Sequence, residues 1–173
     1  MKAFFNLIDG IDIENPLNQL RLSVNDEFLI IEEKVLKLFR SVTITTHKIP
    51  LENIITTLVA TESEIAEVNK SAIGRGVVGG LIFGPVGLVL GGLSGVGKKK
   101  TMSKKQHFIV SFLALSGDVK NITLVTASVS NDSITKGFNK YMIKTLKTVT
   151  PSAPVRELQL QNDDVFKQTE FML

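Results

Sequence analysis

The feature that most constrains this chain is an uncharged, glycine-rich apolar segment at residues 76–97. No charged side chain occurs between Arg75 and Lys98. As one straight helix, the segment would reach about 33 Å, which is enough to cross the hydrocarbon core of a bilayer. Because exposed apolar surface usually marks an interaction site, we expect the segment to enter a membrane or to pack against its own kind.

Two features argue against a single membrane span. Gly84-Pro85-Val86-Gly87 lies at the middle of the segment, where proline removes a helix hydrogen bond and glycine relaxes the backbone, so a turn is expected. The β-rich segments on either side must also lie in one compartment if they share a domain. The pattern therefore predicts a helical hairpin whose arms, at about 15 Å each, penetrate one leaflet without traversing the bilayer.

Within each arm, glycines recur at every fourth residue, which places them on one helix face. They are Gly76, Gly80 and Gly84 in the first arm and Gly87, Gly91 and Gly95 in the second. Such a groove lets helix backbones approach closely in lipid, so these glycines and Pro85 are the candidate insertion or self-packing residues. The alternative is an apolar loop without membrane contact, because each glycine weakens an isolated helix by about 1 kcal/mol.

Basic residues flank the segment on the side to which a hairpin would return. Arg75 precedes it, and five lysines follow it: Lys98, Lys99, Lys100, Lys104 and Lys105. Such a cluster is typical of a contact with an anionic cytoplasmic leaflet, at about 1 kcal/mol per basic side chain. Nucleic acid is not expected, because no aromatic residue is interleaved with the lysines to stack on bases. A solvated linker is the other interpretation of the run.

Most of the remaining chain predicts short antiparallel strands. Ser116-Gly117-Asp118 supplies a hairpin turn, Glu32-Glu33-Lys34 is interpreted as a polar break between strands, and Pro50 is interpreted as a bend because it lacks a ladder donor. The predicted strands are 18–24, 27–31, 35–39, 42–46 and 55–61 before the insert, and 107–115 and 119–127 after it.

One amphipathic helix is predicted near the C-terminus, after capping side chains at 130–133 and before Pro151. Its apolar residues are Ile134, Phe138, Tyr141, Met142, Leu146 and Val149. Four lysines share the opposite face, which is either solvated or a second basic membrane-facing surface: Lys136, Lys140, Lys144 and Lys147. Residues from 152 onward lack strong periodicity and are expected to form a peripheral strand or a loose tail.

The order of these elements resembles pleckstrin-homology-like (PH-like) proteins of bacterial and prophage origin that carry a glycine-rich insert. The runs that carry the resemblance are IPLENI, KSAIGRGVVGGLIFGPVGLVLGGLSGVGKKK, HFIVSFLAL and VKNITLVTA. The resemblance implies a mainly β (α+β) fold, a seven-stranded barrel capped by one amphipathic helix, with a glycine-rich helical hairpin inserted between strands. The expected domains are an N-terminal segment at 1–17, a PH-like domain at 18–149 interrupted by 71–105, and a tail at 150–173.

Motifs for catalysis, metals and cofactors are near misses. Residues 92–98 match the GxxxxGK part of a phosphate-binding loop, but Lys99 replaces the Ser/Thr that should bind magnesium. His47 and His107 lack nearby partners for zinc, and the chain has no cysteine. The apolar run at the start is too short for a signal peptide and soon meets Asp9. No catalytic residue, metal ligand or cofactor is therefore expected, nor is export.

These observations predict a non-enzymatic PH-like module that associates with the cytoplasmic membrane face, self-assembles through the glycine zipper, or both. Its partners would be an anionic membrane surface, its own subunits or another protein, and a membrane-perturbing effector is one variant. The alternative is a soluble adaptor or structural protein, bacterial or phage-derived, that uses the insert as a protein-docking loop.

Overall fold

The computed structural model describes residues 1–38, 40–61, 106–126 and 132–160. Seven strands form one sheet: β1 (Lys2–Asp9), β2 (Gln19–Val24), β3 (Phe28–Lys37), β4 (Arg40–Pro50), β5 (Ile54–Thr61), β6 (Gln106–Leu113) and β7 (Val119–Thr126). A 3-10 turn at Leu51–Asn53 joins β4 to β5, and helix α1 spans Asp132–Leu146. Residues 153–160 form a further helix, α2.

Neighbouring strands of the sheet are antiparallel, in the order β4-β3-β2-β1-β7-β6-β5. Ile49 of β4 and Ile54 of β5 belong to one buried cluster although they lie in the two outermost strands. The sheet therefore curls around a single core, as the resemblance to PH-like proteins implies. Helix α1 contacts β1, β5, β6 and β7.

Aromatic side chains join the sheet to α1 at the centre of this core. The ring centroids of Phe108 and Phe138 lie 5.5 Å apart in an edge-to-face arrangement, and Phe5 lies 5.7 Å from Phe108. All three side chains are fully buried, and aromatic pairs of this kind add about 0.5–1.5 kcal/mol beyond the area that they bury. The predicted amphipathic helix is thus confirmed, with Phe138 and Met142 on its buried face.

Strand β1 was missed in the prediction, which assigned no strand before residue 18. β1 pairs with both β2 and β7, so it lies near the middle of the sheet. Ala3 and Phe5 point into the core, but the residue between them, Phe4, is also apolar although it is 48% exposed. The alternation of polar and apolar residues that identifies a strand is therefore absent.

The predicted break at Glu32-Glu33-Lys34 was wrong, because these residues continue β3. Glu32 lies opposite Arg21 of β2, and its carboxylate accepts a hydrogen bond from Arg21 Nε at 2.7 Å. A cross-strand ion pair of this kind places charged residues inside a strand without interrupting it. Pro50 ends β4, a strand at the edge of the sheet, and the predicted bend follows it.

Helix α2 corrects the expectation of a single helix followed by a strand or loose tail. Pro154 lies in its first turn, where proline needs no helix donor, and Val155 is fully buried. The Ser152 amide donates to Glu52 O at 2.9 Å, and Gln159 Nε2 donates to Ile55 O at 2.9 Å. These contacts attach α2 to the start of β5. They are tertiary contacts, which the local periodicity of the sequence does not indicate.

Candidate functional site

The predicted site residues, from Arg75 to Lys105, all fall within residues 62–105, outside the described part of the chain. The helical hairpin and the glycine zipper groove are therefore still predictions from the sequence. What the structure does describe is the pair of strands from which the insert leaves and to which it returns.

The insert begins and ends at one point of the sheet. It follows Thr61 of β5 and precedes Gln106 of β6, and these two residues are paired across the antiparallel ladder, as are Ala60 and His107. Directly paired residues in such a ladder have Cα atoms about 4.5–5.5 Å apart. The chain therefore returns to the place it left, as the hairpin prediction requires.

The β5–β6 pair, from which the insert leaves, forms a platform that packs against the hydrophobic core. The ladder runs from Ile54 opposite Phe112 to Thr61 opposite Gln106, and Phe108 lies opposite Val59. Because Phe108 packs on Phe138, α1 holds the platform from inside. β5 is also an outermost strand, so the insert leaves from the edge of the sheet.

The outer face of α1 is basic and solvent-exposed. Its exposed lysines are Lys136, Lys140 and Lys144, with Lys147 just beyond its end, and no carboxylate occurs between Asp132 and Glu157 in the sequence. The predicted placement of these lysines opposite the buried face is confirmed.

Glu33, which was predicted to lie in a polar break between strands, is a buried carboxylate. It is fully buried, and its oxygens accept hydrogen bonds from the amides of Glu14 at 3.1 Å and Asn15 at 3.2 Å, and from Asn18 Nδ2 at 2.6 Å. These bonds fasten the β1–β2 connection onto β3. The role is structural, because every oxygen of the carboxylate is engaged by a neighbouring donor.

Two opposing effects set the pKa of Glu33. Desolvation by burial raises the pKa, but hydrogen bonds from Asn18, Glu14, Asn15 and Thr45 outweigh burial and lower it. The pKa of Glu32 is lowered similarly, where desolvation is outweighed by Arg21 and Lys34. Because the folded pKa lies below the unfolded value, each carboxylate stabilises the fold above about pH 4.3 and less as pH falls through its folded pKa.

Replacing Glu33 by glutamine is expected to lower the free energy of unfolding by about 1–3 kcal/mol at pH 7. The NH₂ group of the glutamine side chain is itself a donor, so it cannot accept the hydrogen bonds that one carboxylate oxygen of Glu33 accepts. The difference from the wild type should shrink as pH falls below about 4.3, because the unfolded carboxyl is protonated first and the folded one follows at its lowered pKa. Urea titrations at pH 7 and pH 3 measure this, with the exposed Glu157→Gln as the control. An equal loss at both pH values would contradict the assigned role.

Among residues 1–38, 40–61, 106–126 and 132–160, no group of His, Asp and Glu is arranged to hold a metal ion. His47 lies in β4 and His107 in β6, and His47 Nε2 is 3.1 Å from the Asp12 carbonyl oxygen. Within the same described ranges, no helix is long and apolar enough to cross a membrane.

Comparison with known proteins identifies the domain. A family model described as "Glycine zipper containing PH domain" matches residues 18–136, more than half of the chain, with the insert inside the match. The chain belongs to this family. The seven-stranded sheet and α1 are consistent with a PH-like domain. The glycines that recur at every fourth residue lie within the matched residues. The comparisons with curated proteins and with solved structures find no match.

The family assignment confirms two parts of the resemblance, the PH-like domain and its glycine zipper. A PH domain that contains a glycine zipper indicates a module for interaction with membranes or with proteins. Bacterial or prophage origin is implied only by the resemblance of the sequence runs.

Proposed function

We propose that this PH domain is a non-enzymatic module at the cytoplasmic face of the membrane, where its insert enters one leaflet and self-associates through the glycine zipper. The observation that carries the proposal is the pairing of Thr61 with Gln106, which gives the insert a common entry and exit. Both flanks of the apolar segment then meet the same surface.

The distribution of charge supports this orientation. Arg75 and Lys98–Lys100 border the uncharged stretch at its two ends, and a returning hairpin brings both ends to one side. Basic residues at the cytoplasmic boundary of an apolar segment are the arrangement that membrane insertion favours. Lys104 and Lys105 lie next to Gln106 in the sequence, so they would keep the β5–β6 edge close to anionic headgroups.

The glycine zipper supplies the second part of the proposal. In lipid, where apolar surface alone does not drive helices together, small residues at four-residue spacing permit close backbone contact. Gly80 and Gly91 are the central glycines of the two arms. Contacts between arms of several copies would concentrate inserts in the leaflet, which is how a membrane-perturbing effector could act.

The test uses vesicle flotation with the full-length chain and two classes of variant. Glutamine at Lys98, Lys99, Lys100, Lys104 and Lys105 together is expected to weaken binding to anionic vesicles by at least about tenfold, because each lysine contributes about 1 kcal/mol. Glutamine at four exposed lysines elsewhere, one fewer than in the insert variant, is the control: Lys136, Lys140 and Lys144 of α1 and Lys147 just after it. Equal losses in both variants would contradict a role specific to the insert.

The zipper is tested separately by leakage of a trapped dye. Wild-type protein should cause leakage, whereas Gly80→Leu or Gly91→Leu should bind vesicles and leak less, because a leucine fills the groove. If the protein ignores anionic vesicles and deletion of 76–97 instead abolishes a protein complex, the insert is the docking loop of a soluble adaptor.

A further inference from the structure

The β3–β4 hairpin extends beyond its neighbour and exposes apolar side chains at its tip, residues 35–38 and 40–42. The ladder between β2 and β3 stops at Gln19 opposite Lys34, whereas β3 and β4 pair as far as Lys37 opposite Arg40. Leu36 is 75% exposed and Leu38 93% exposed. Leucines exposed on a projecting two-stranded arm are not buried in the core. The stability of the fold therefore does not explain why apolar residues occur there.

Leu38 also has a backbone conformation that leucine disfavours. Its φ is +46°, a region that glycine and asparagine occupy with little penalty and that is costly for a bulky apolar residue. Tight hairpins normally carry glycine or asparagine at such positions. A leucine at this position therefore points to a contact made by the side chain rather than to the requirements of the turn.

The charge of the tip has a single sign. Lys37 and Arg40 lie directly opposite each other, although like charges in that arrangement are destabilising. No carboxylate occurs between Glu33 and Glu52 in the sequence. The tip is therefore apolar and basic, and its partner should be apolar and acidic.

A cleft with those properties lies at the opposite end of the same hairpin. Its volume is about 420 Å³, and it is lined by Asp26, Glu27, Phe28, Pro50, Leu51, Glu52, Val149 and Thr150. Three of these residues are exposed acids, and four are apolar. The ion pairs formed among the described residues use Glu32 and none of these acids. Lys48 lies near the cleft, with Nζ 5.9 Å from the Phe28 ring centroid.

A tip cannot reach the cleft of its own chain. Phe28 pairs with Pro50 at the cleft end of the hairpin, and Lys37 pairs with Arg40 at the tip. Nine residue steps of a β-strand separate the two ends by about 30 Å. Any tip that occupies a cleft must therefore belong to a different molecule.

We propose that the β3–β4 tip of one copy binds the acidic cleft of a second copy. The contact joins two different surfaces of the same chain, so it is heterologous and propagates head to tail into a ring or a filament. An anionic bilayer fits the tip but is repelled by the cleft, whereas a second copy satisfies both surfaces. The surfaces lie outside residues 62–105, so this association is independent of the insert.

Sedimentation velocity of the full-length chain tests the proposal. The wild type should form assemblies that grow with protein concentration and shrink as salt rises, because the contact is partly electrostatic. Two double variants test the two surfaces separately: Lys37→Glu with Arg40→Glu for the tip, and Asp26→Lys with Glu27→Lys for the cleft. Each should raise the protein concentration needed for assembly by about tenfold or more. Both changes are on exposed residues, and circular dichroism verifies that each variant is folded.

An equimolar mixture of the two charge-reversed proteins distinguishes this contact from others. The mixture contains the natural pairing of a basic tip with an acidic cleft and the charge-swapped pairing of an acidic tip with a basic cleft, so it should regain the concentration-dependent assembly that each variant lacks alone. Equal sedimentation of the wild type and both variants, or failure of the mixture to associate, would overturn the proposal. Binding of the tip to vesicles without any assembly in solution would also overturn it, in favour of a bilayer.

Leu38→Asn gives a second, conservative test. Asparagine tolerates the positive φ, so the variant should unfold at the same or a higher temperature than the wild type while its assembly weakens severalfold. Reduced thermal stability together with unchanged assembly would mean that Leu38 serves the fold alone, and would contradict the proposal.

Discussion

Gly10→Ala is expected to lower the free energy of unfolding by at least about 3 kcal/mol, because two penalties act at one site. The backbone of Gly10 has φ +114°, and a Cβ there would lie 2.0 Å from the Asn121 carbonyl oxygen and 2.7 Å from Ile122 Cα. Both atoms belong to the backbone of β7, which cannot move aside without breaking its pairing with β6. The end of β1 is therefore seated against β7 in a position that only glycine can occupy.

Gly117→Ala is the matched control for this prediction. Gly117 also has a positive φ, +86°, but nothing lies within 4 Å of the position of an added Cβ. The substitution should cost only the backbone penalty, about 1–2 kcal/mol. Denaturant titrations of the two variants separate the steric effect from the conformational effect. Similar losses in both would show that the close approach of β1 to β7 does not occur.

The elements that sequence patterns predicted well are those whose signals are local. The Asn25 side chain accepts hydrogen bonds from the amides of Glu27 and Phe28 at the turn between β2 and β3, and Gly117 supplies the positive φ between β6 and β7. The 3.6-residue spacing of Phe138 and Met142 likewise determines which face of α1 is buried. In each case the residues that define the element lie within a few positions of one another.

The features that were missed depend on partners distant in sequence. Glu33 is buried because its donors come from the connection before β2. Val155 is buried in a helix held by bonds to Glu52 and Ile55. The acidic cleft combines a turn, a strand end and residues after α1. Local periodicity in the sequence does not indicate contacts between residues that are distant in sequence, so these contacts are seen only in the folded structure.

The second large effect concerns the insert itself. Thr61 and Gln106 are directly paired, so a two-residue Asn-Gly turn can join them in place of residues 62–105 and complete an ordinary β-hairpin. Shortening a connection reduces the entropy lost on closing it, so the variant is expected to be at least as stable as the wild type. A second variant replaces 62–105 with a Gly/Ser segment of equal length, which keeps the length but removes the apolar and basic residues.

Flotation of these three proteins with anionic vesicles tests most directly whether the insert carries the interaction. The wild type should float with the vesicles, while the Asn-Gly variant and the Gly/Ser variant should remain in the dense fraction with cooperative unfolding intact. Flotation of the Asn-Gly variant to the same extent as the wild type would contradict the account, because binding would then reside in the PH-like sheet rather than in the segment that it holds.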